Sequence, residues 1–313
     1  MKAPRGGTEL QLELLYKYID NNLLDQTQIT LSVPESKPLA TDKPNILWQH
    51  NSYDQPNLAP WFQDKSNHSK YDWYVFNSHW CFEKFRYSFD IPTEKCVVIK
   101  NGIEDIKPRI TEYKKGDSIK LIFHPTPWRG LNVILAAMQM VKNPLIHLDV
   151  YSSCEIYGQS FKEQNDEQYQ PLYDQAKQLK NVTYIGYKPN EYIKEHLKDY
   201  HMFVYPNVWE ETFCLTALES LAAGLYTMVT NHGALFETCA EYAAYIPFEK
   251  DFVRLAQKTA FMIENAAATL HEKEVQDHLR MQTEYVNHFY NWEKKAHTWT
   301  KFLKGAIKNA RSK

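Results

Sequence analysis

From about residue 119 onward, short apolar runs alternate with stretches whose apolar positions recur at helical spacing. The runs fall at 119–123, 146–151, 182–185, 202–205, 225–229 and 244–246, and the helical stretches near 130–142, 168–179, 190–199, 211–223 and 234–241. Alternation of this kind predicts βαβ units, a parallel sheet and helices on both faces. Ligands of such sheets bind beyond the carboxyl ends of the strands. The loops carrying Arg129 and Glu211 each follow a strand and precede a helix, so both are expected at one crevice.

The first hundred residues repeat the style on a smaller scale. A helix is predicted over about 9–22, strands near 28–33, 45–49 and 73–76, a helix over 78–89 and a strand over 95–99. The polar stretch 104–118, with Pro108, Lys114, Lys115, Gly116 and Asp117, reads as a linker. After residue 250 the chain turns helical and polar. The expected organisation is therefore an α/β domain over 1–103, a linker over 104–118, a second α/β domain over 119–285 and a C-terminal helix over 286–313. A chain of 313 residues holds two such cores.

Composition narrows the partners. A formal net charge of -2 argues against nucleic acid or an anionic membrane as the main partner, leaving at most peripheral membrane contact. No apolar run reaches the roughly 18 residues needed to span a bilayer, and Met1–Gly7 lacks the apolar core of a signal peptide. Cysteines at 81, 96, 154, 214 and 239, odd in number and without a C-x-x-C pair, fit free thiols in a reducing cytoplasm. Cys214 reads as a packing residue, and no His/Cys/Asp cluster has metal-ligand spacing. Neither a G-x-G-x-x-G fingerprint nor a P-loop is present.

The most informative stretch follows the apolar run 202–205 and Pro206. It reads Glu210-Glu211-Thr212-Phe213-Cys214-Leu215-Thr216-Ala217-Leu218-Glu219-Ser220-Leu221-Ala222-Ala223-Gly224. Glu219 stands among Leu215, Leu218, Leu221 and Ala222 on an apolar helix. A carboxylate in that company must be paired, solvated or ligand-bound. Carboxylates at the mouth and middle of a helix suit a ligand with hydroxyls to grip and phosphates to seat. Glu211 and Glu219 resemble the E-x7-E motif of retaining glycosyltransferases of family 4, of GT-B fold. Tyr205-Pro206 before the motif matches the family pattern, as do Gly224 and Gly233-Ala234-Leu235-Phe236-Glu237-Thr238 after it.

The resemblance implies two Rossmann-like domains with parallel sheets facing a central cleft, and a last helix that crosses back to the N-terminal domain, anchored by Trp292 and Trp299. The segment Phe123-His124-Pro125-Thr126-Pro127-Trp128-Arg129-Gly130 resembles the family's phosphate loop, with Arg129 at the lysine position and His124 where an arginine stands. His50, at the end of a predicted strand, matches a histidine facing the donor sugar. Gly6-Gly7 resembles a loop whose amides approach the donor phosphates, and Thr8 with Gln11 has the spacing of a capping box. Family members carry a strand before that loop, and here only five residues precede it. Asn77-Ser78 and Asn101-Gly102 match landmarks of the scaffold, and Tyr187 lies where the nucleotide base passes.

In the reading so implied, the chain moves a sugar from a nucleotide-diphosphate donor to an acceptor hydroxyl on a glycan, a lipid-linked sugar or a protein. A UDP-sugar is favoured over a GDP-sugar, and neither a cofactor nor a metal is required. Glu211, His50 and Arg129 are the catalytic candidates. Gly6, Gly7, His124, Arg129, Tyr187, Thr212, Phe213, Cys214, Leu215 and Glu219 are the donor-binding candidates, with residues 212–215 forming a helix N-terminus. The alternatives are another GT-B enzyme, such as a sugar-nucleotide epimerase or a phosphorylase, and a non-catalytic nucleotide-sugar-binding protein.

Overall fold

The structure is a computed structural model, and it describes residues 6–311. The chain forms two compact units. The larger comprises Asp105–Trp209 and Cys214–His288; the smaller comprises Gly7–Glu104, Glu210–Phe213 and the chain from Phe289 onward.

The smaller unit holds a four-stranded sheet of β1 (Gln28–Leu31), β2 (Asn45–Gln49), β3 (Trp73–Phe76) and β4 (Cys96–Val98), in the order β1-β2-β3-β4. Every pairing is parallel. All five residues of β2 are buried, as expected of an inner parallel strand covered on both faces. Because side chains alternate along a strand, Ile46 and Trp48 point into one cluster and Leu47 into another. The Leu47 cluster is built from Phe62, Tyr71, Tyr74, Phe76, Phe85 and Phe89. The Trp48 cluster draws Leu14 and Leu15 from the first helix, Gly7–Tyr18, and Trp292, Trp299 and Leu303 from the last, Trp292–Arg311. Trp299 meets Trp48 edge-on, ring centroids 4.6 Å apart, and Trp292 stacks on Tyr18 at 6.1 Å.

Two local expectations are corrected here. The first helix starts at Gly7, so Thr8 lies inside it. Gln11 makes no capping box: its amide donates to the Gly102 carbonyl at 2.8 Å and its carbonyl oxygen accepts from Gly102 N at 3.1 Å. Among the described residues no strand precedes this helix. The part of the signal-peptide reading that falls on residues 1–5 lies outside the described residues.

The larger unit holds six strands: β5 (Ile119–Phe123), β6 (Ile146–Val150), β7 (Val182–Tyr184), β8 (Met202–Tyr205), β9 (Tyr226–Thr230) and β10 (Ala244–Ile246). They lie in the order β10-β9-β8-β5-β6-β7, all parallel. Read from the β7 edge, the strands run third, second, first, fourth, fifth, sixth in the chain. This is the order of the doubly wound dinucleotide-binding sheet. The polar stretch after residue 104 packs onto this unit. Arg109 N donates to the Ala223 carbonyl at 2.9 Å, its guanidinium to the Tyr200 carbonyl at 3.1 Å, and Tyr113 is buried. The helix Gln159–Asn165 and the 3-10 turn Cys154–Tyr157 ahead of it are elements the polarity pattern does not announce.

Trp299 closes the core of the smaller unit, so Trp299→Ala is expected to lower its stability by about 3–5 kcal/mol. Urea unfolding followed by tryptophan fluorescence measures this, and a loss under about 1 kcal/mol would show that the last helix is not part of that core.

Candidate nucleotide-sugar site

The strand order of the larger sheet reverses between β5 and β8. Loops leaving the two strands at such a point diverge to opposite faces and open a crevice at the carboxyl ends. The loop after β5 carries His124, the 3-10 turn Pro127–Arg129 and Gly130, which opens the helix Leu131–Met140. Gly130 has φ +116°, and a Cβ there would lie 2.4 Å from the Pro206 carbonyl oxygen, just beyond β8. The two loops therefore touch backbone to backbone at a position only glycine fits.

Beyond that contact the loop from β8 is braced by Asn207, which is fully buried. Its Oδ1 accepts from Trp209 N at 2.8 Å, its Nδ2 donates to the Trp209 carbonyl, and its own carbonyl accepts from Thr230 Oγ1 at 2.8 Å. Trp209 so held is 40% exposed, and the Arg129 guanidinium carbon lies 5.9 Å from its ring centroid. That is the outer range of a cation–π contact.

His124 is buried beside Phe203, ring centroids 5.0 Å apart, with no hydrogen-bond partner on Nε2. Burial pushes its pKa down to about 3. The imidazole is thus neutral near pH 7, and the loop's permanent charge is that of Arg129. Tyr187 is 38% exposed in the loop after β7, next to Gly186 with its φ of +77°.

Glu219 lies in the helix Leu215–Ala222 and is 1% exposed. Lys194, from the helix Asn190–His196, places its Nζ 3.3 Å from Glu219 Oε1, while Oε2 has no hydrogen-bond partner. An ion lodged in a protein interior loses several kcal/mol of hydration, and only a partner of opposite charge offsets that loss. The pairing expected of Glu219 is therefore met by a residue that sequence reasoning overlooked. Cys214, buried, precedes this helix at φ +87°, with Sγ 3.2 Å from Thr216 Oγ1.

The helix begins at Leu215, not at 211 as the apolar periodicity predicts, so Thr212 and Phe213 do not form its N-terminus. The reason is competition for their backbone and side chains. Thr212 Oγ1 donates to the His50 carbonyl at 2.7 Å and accepts from Asn77 Nδ2 at 3.1 Å, and the Thr212 carbonyl accepts from Ser78 Oγ at 2.6 Å. Phe213 is 1% exposed, its ring 6.2 Å from that of Tyr290. Segment Glu210–Phe213 thus folds with the smaller unit, and the buried Glu211 goes with it.

That anchoring brings Thr212 to His50. His50 is buried, its ring 4.6 Å from Trp48, and its Nε2 lies 3.3 Å from Asn101 Oδ1 while Nδ1 has no partner. Burial lowers its pKa to about 4 against the Asn101 contact, which raises it. Ser78 caps its helix by accepting from Cys81 N at 2.9 Å, as its position predicts. Gly6 is buried, and the exposed Gly7 is the first helical residue. Among the described residues no three His, Cys, Asp or Glu side chains form a group able to hold a metal ion. All five cysteines are free, and no described helix is long and apolar enough to cross a membrane.

Residues 103–279, more than half of the chain, match the family of glycosyl transferases group 1. The protein belongs to that family. No curated protein matches it in sequence. Its fold is of GT-B type, as in several solved structures. A glycosyltransferase from Rickettsia africae is 15% identical, with a TM-score of 0.69 over 99% of this chain and 84% of its own. A sucrose-phosphate synthase from Thermosynechococcus elongatus is 16% identical, with a TM-score of 0.65 over 86% and 69%. The Anabaena protein HepE, crystallised with UDP, is 12% identical, with a TM-score of 0.64 over 84% and 72%.

Gly130→Ala is expected to destabilise the larger unit by more than about 2 kcal/mol, since left-handed backbone and a carbonyl oppose the added methyl. Gly305→Ala, in open space on a helix, is expected to stabilise by about 0.5–1 kcal/mol. Equal small effects in urea titrations would mean that the two loops do not touch.

The histidines predict a pH dependence. Both folded values lie below the ordinary value of about 6.5, so the unfolded chain takes up protons first as pH falls. Stability should drop from about pH 6.5 downward and level off only below about 4 for His50 and about 3 for His124. His124→Phe should reduce the slope of that profile from about pH 6.5 down to about 3 in urea midpoints, and an unchanged slope would count against a buried neutral imidazole.

Proposed function

We propose that this chain is a retaining glycosyltransferase of the family 4 type, moving a sugar from a nucleotide-diphosphate donor to an acceptor hydroxyl without a metal. The observation that carries the reading is Glu219, a carboxylate 1% exposed with one oxygen unpartnered. Such an oxygen calls for a hydroxyl donor, and the ribose of a nucleotide supplies one. Arg129 at the switch-point loop supports a diphosphate nearby, because a guanidinium forks onto phosphate oxygens. Cys214 and Leu215 at the start of the Glu219 helix, and the Gly6-Gly7 amides, would add N–H donors. Tyr187 would stack on the base, and the neutral His124 would contribute shape more than charge.

In the smaller unit, Glu211 would orient the sugar and bring negative charge toward its cationic transition state, and His50 would contact a sugar hydroxyl. Thr212 and Phe213 would act by holding Glu211 in place. In the step itself the bond from the anomeric carbon to the diphosphate oxygen breaks. A new bond to the acceptor oxygen forms on the same face, and the acceptor's proton passes to the departing diphosphate. UDP is the favoured nucleotide. HepE was crystallised with UDP-glucose, and the pneumococcal O-GlcNAc transferase GtfA with UDP and GlcNAc. A glycan, a lipid-linked sugar or a protein would be the acceptor, and the cytoplasm the compartment.

Thermal unfolding against UDP-, GDP-, ADP-, CMP- and dTDP-sugars tests the donor site. A ligand at about a hundred times its Kd adds roughly 2.7 kcal/mol, so one nucleotide class should raise Tm and Arg129→Ala should abolish the rise. With that donor, Glu219→Ala should mainly raise Kd, and Glu211→Ala should mainly lower turnover by about 10²–10³. Wild-type binding and turnover in both variants would reject the assignment.

A further inference from the structure

Glu219 has two oxygens and the structure treats them differently. Oε1 faces Lys194 Nζ at 3.3 Å and Oε2 has no partner, although the residue is 1% exposed. A carboxylate is symmetric, and a half-turn about its last torsion exchanges its oxygens. Here the Lys194 ammonium makes one of them the resting partner and leaves the other vacant. Lys194 is itself largely enclosed, with 20% of its side chain exposed, and that of Glu219 is 2% exposed. Water therefore screens the pair little, and the lysine cannot be replaced by solvent.

Lys194 and Glu219 are each the fifth residue of their helices, Asn190–His196 and Leu215–Ala222. Leu218, Leu221 and Ala222, the neighbours of Glu219 along its helix, are apolar and buried. The Lys194 ammonium is thus the charged group against which the Glu219 carboxylate is oriented.

We propose that Lys194 is a positioning residue for nucleotide recognition: it clamps Oε1 of Glu219 and so leaves Oε2 as the oxygen that accepts from a hydroxyl of the donor's ribose. This rests on the reading of Glu219 as the ribose acceptor and adds to it a cause for the carboxylate's asymmetry. A carboxylate with one oxygen occupied grips the ribose from a single atom. Removing the clamp frees the carboxylate to rotate, and the ribose contact goes with it. The base and diphosphate contacts lie elsewhere and are spared.

The test is calorimetric titration of wild type, Lys194→Met, Lys194→Arg and Glu219→Gln with UDP, GDP and their 2′,3′-dideoxy counterparts, folding being checked by circular dichroism. Wild type should bind the ribonucleotide about tenfold or more tighter than the dideoxynucleotide, the scale of a hydrogen bond to a charged group. Lys194→Met should shrink that ratio to about one by weakening the ribonucleotide alone, and Lys194→Arg should restore most of it. A full ratio in Lys194→Met overturns the proposal while leaving the Glu219 reading intact. Equal weakening of both nucleotides overturns it too, since that is the signature of general damage. A wild type that does not discriminate, or that binds neither nucleotide, overturns the ribose reading and the clamp together. Discrimination undiminished in Glu219→Gln has the same consequence.

Discussion

Every strand pairing in both sheets is parallel, and the placement of functional groups follows from that. A parallel pair needs a crossover, so each strand of the larger sheet enters from one edge and leaves at the other. All its exit loops gather at one edge, whatever their distance in sequence. The reversal between β5 and β8 then sets two of them apart from the rest, one with Arg129 and the other with Trp209. Gly130 lets them approach to contact. The site is a by-product of connectivity, and side chains refine it.

Burial acts differently on the two enclosed polar groups of the candidate site. His124 is enclosed against Phe203 with an unpartnered nitrogen and stays neutral. Glu219 is enclosed as deeply but has Lys194 beside it. The loop after β5 carries its fixed charge on Arg129, which persists at any pH the protein meets.

Most of the larger sheet was legible because its strands are short, apolar and bounded by polar turns. β5, β8 and β10 run as the pattern predicts, β6 and β7 each end one residue early, and β9 is shifted by one residue. The site was legible where a residue type is anomalous for its surroundings, as with Glu219 in an apolar helix. It was not legible where a partner is distant in sequence. Nothing near Lys194 marks it as the counter-charge of Glu219, since only the packing of two helices joins them. The helix start at 211 failed for a related reason: Thr212 is drawn out of the helix by His50, Asn77 and Ser78, all far upstream. Gln11 was misread likewise, its amide taken by Gly102.

The Trp48 cluster joins residues from the two ends of the chain, Leu14 and Leu15 with Trp292, Trp299 and Leu303. Contacts between residues so far apart in sequence close long loops, and the entropy of that closure is spent before the contact rewards it. The tryptophan cover of this core therefore weighs more on how fast the smaller unit folds than on how stable it is once folded.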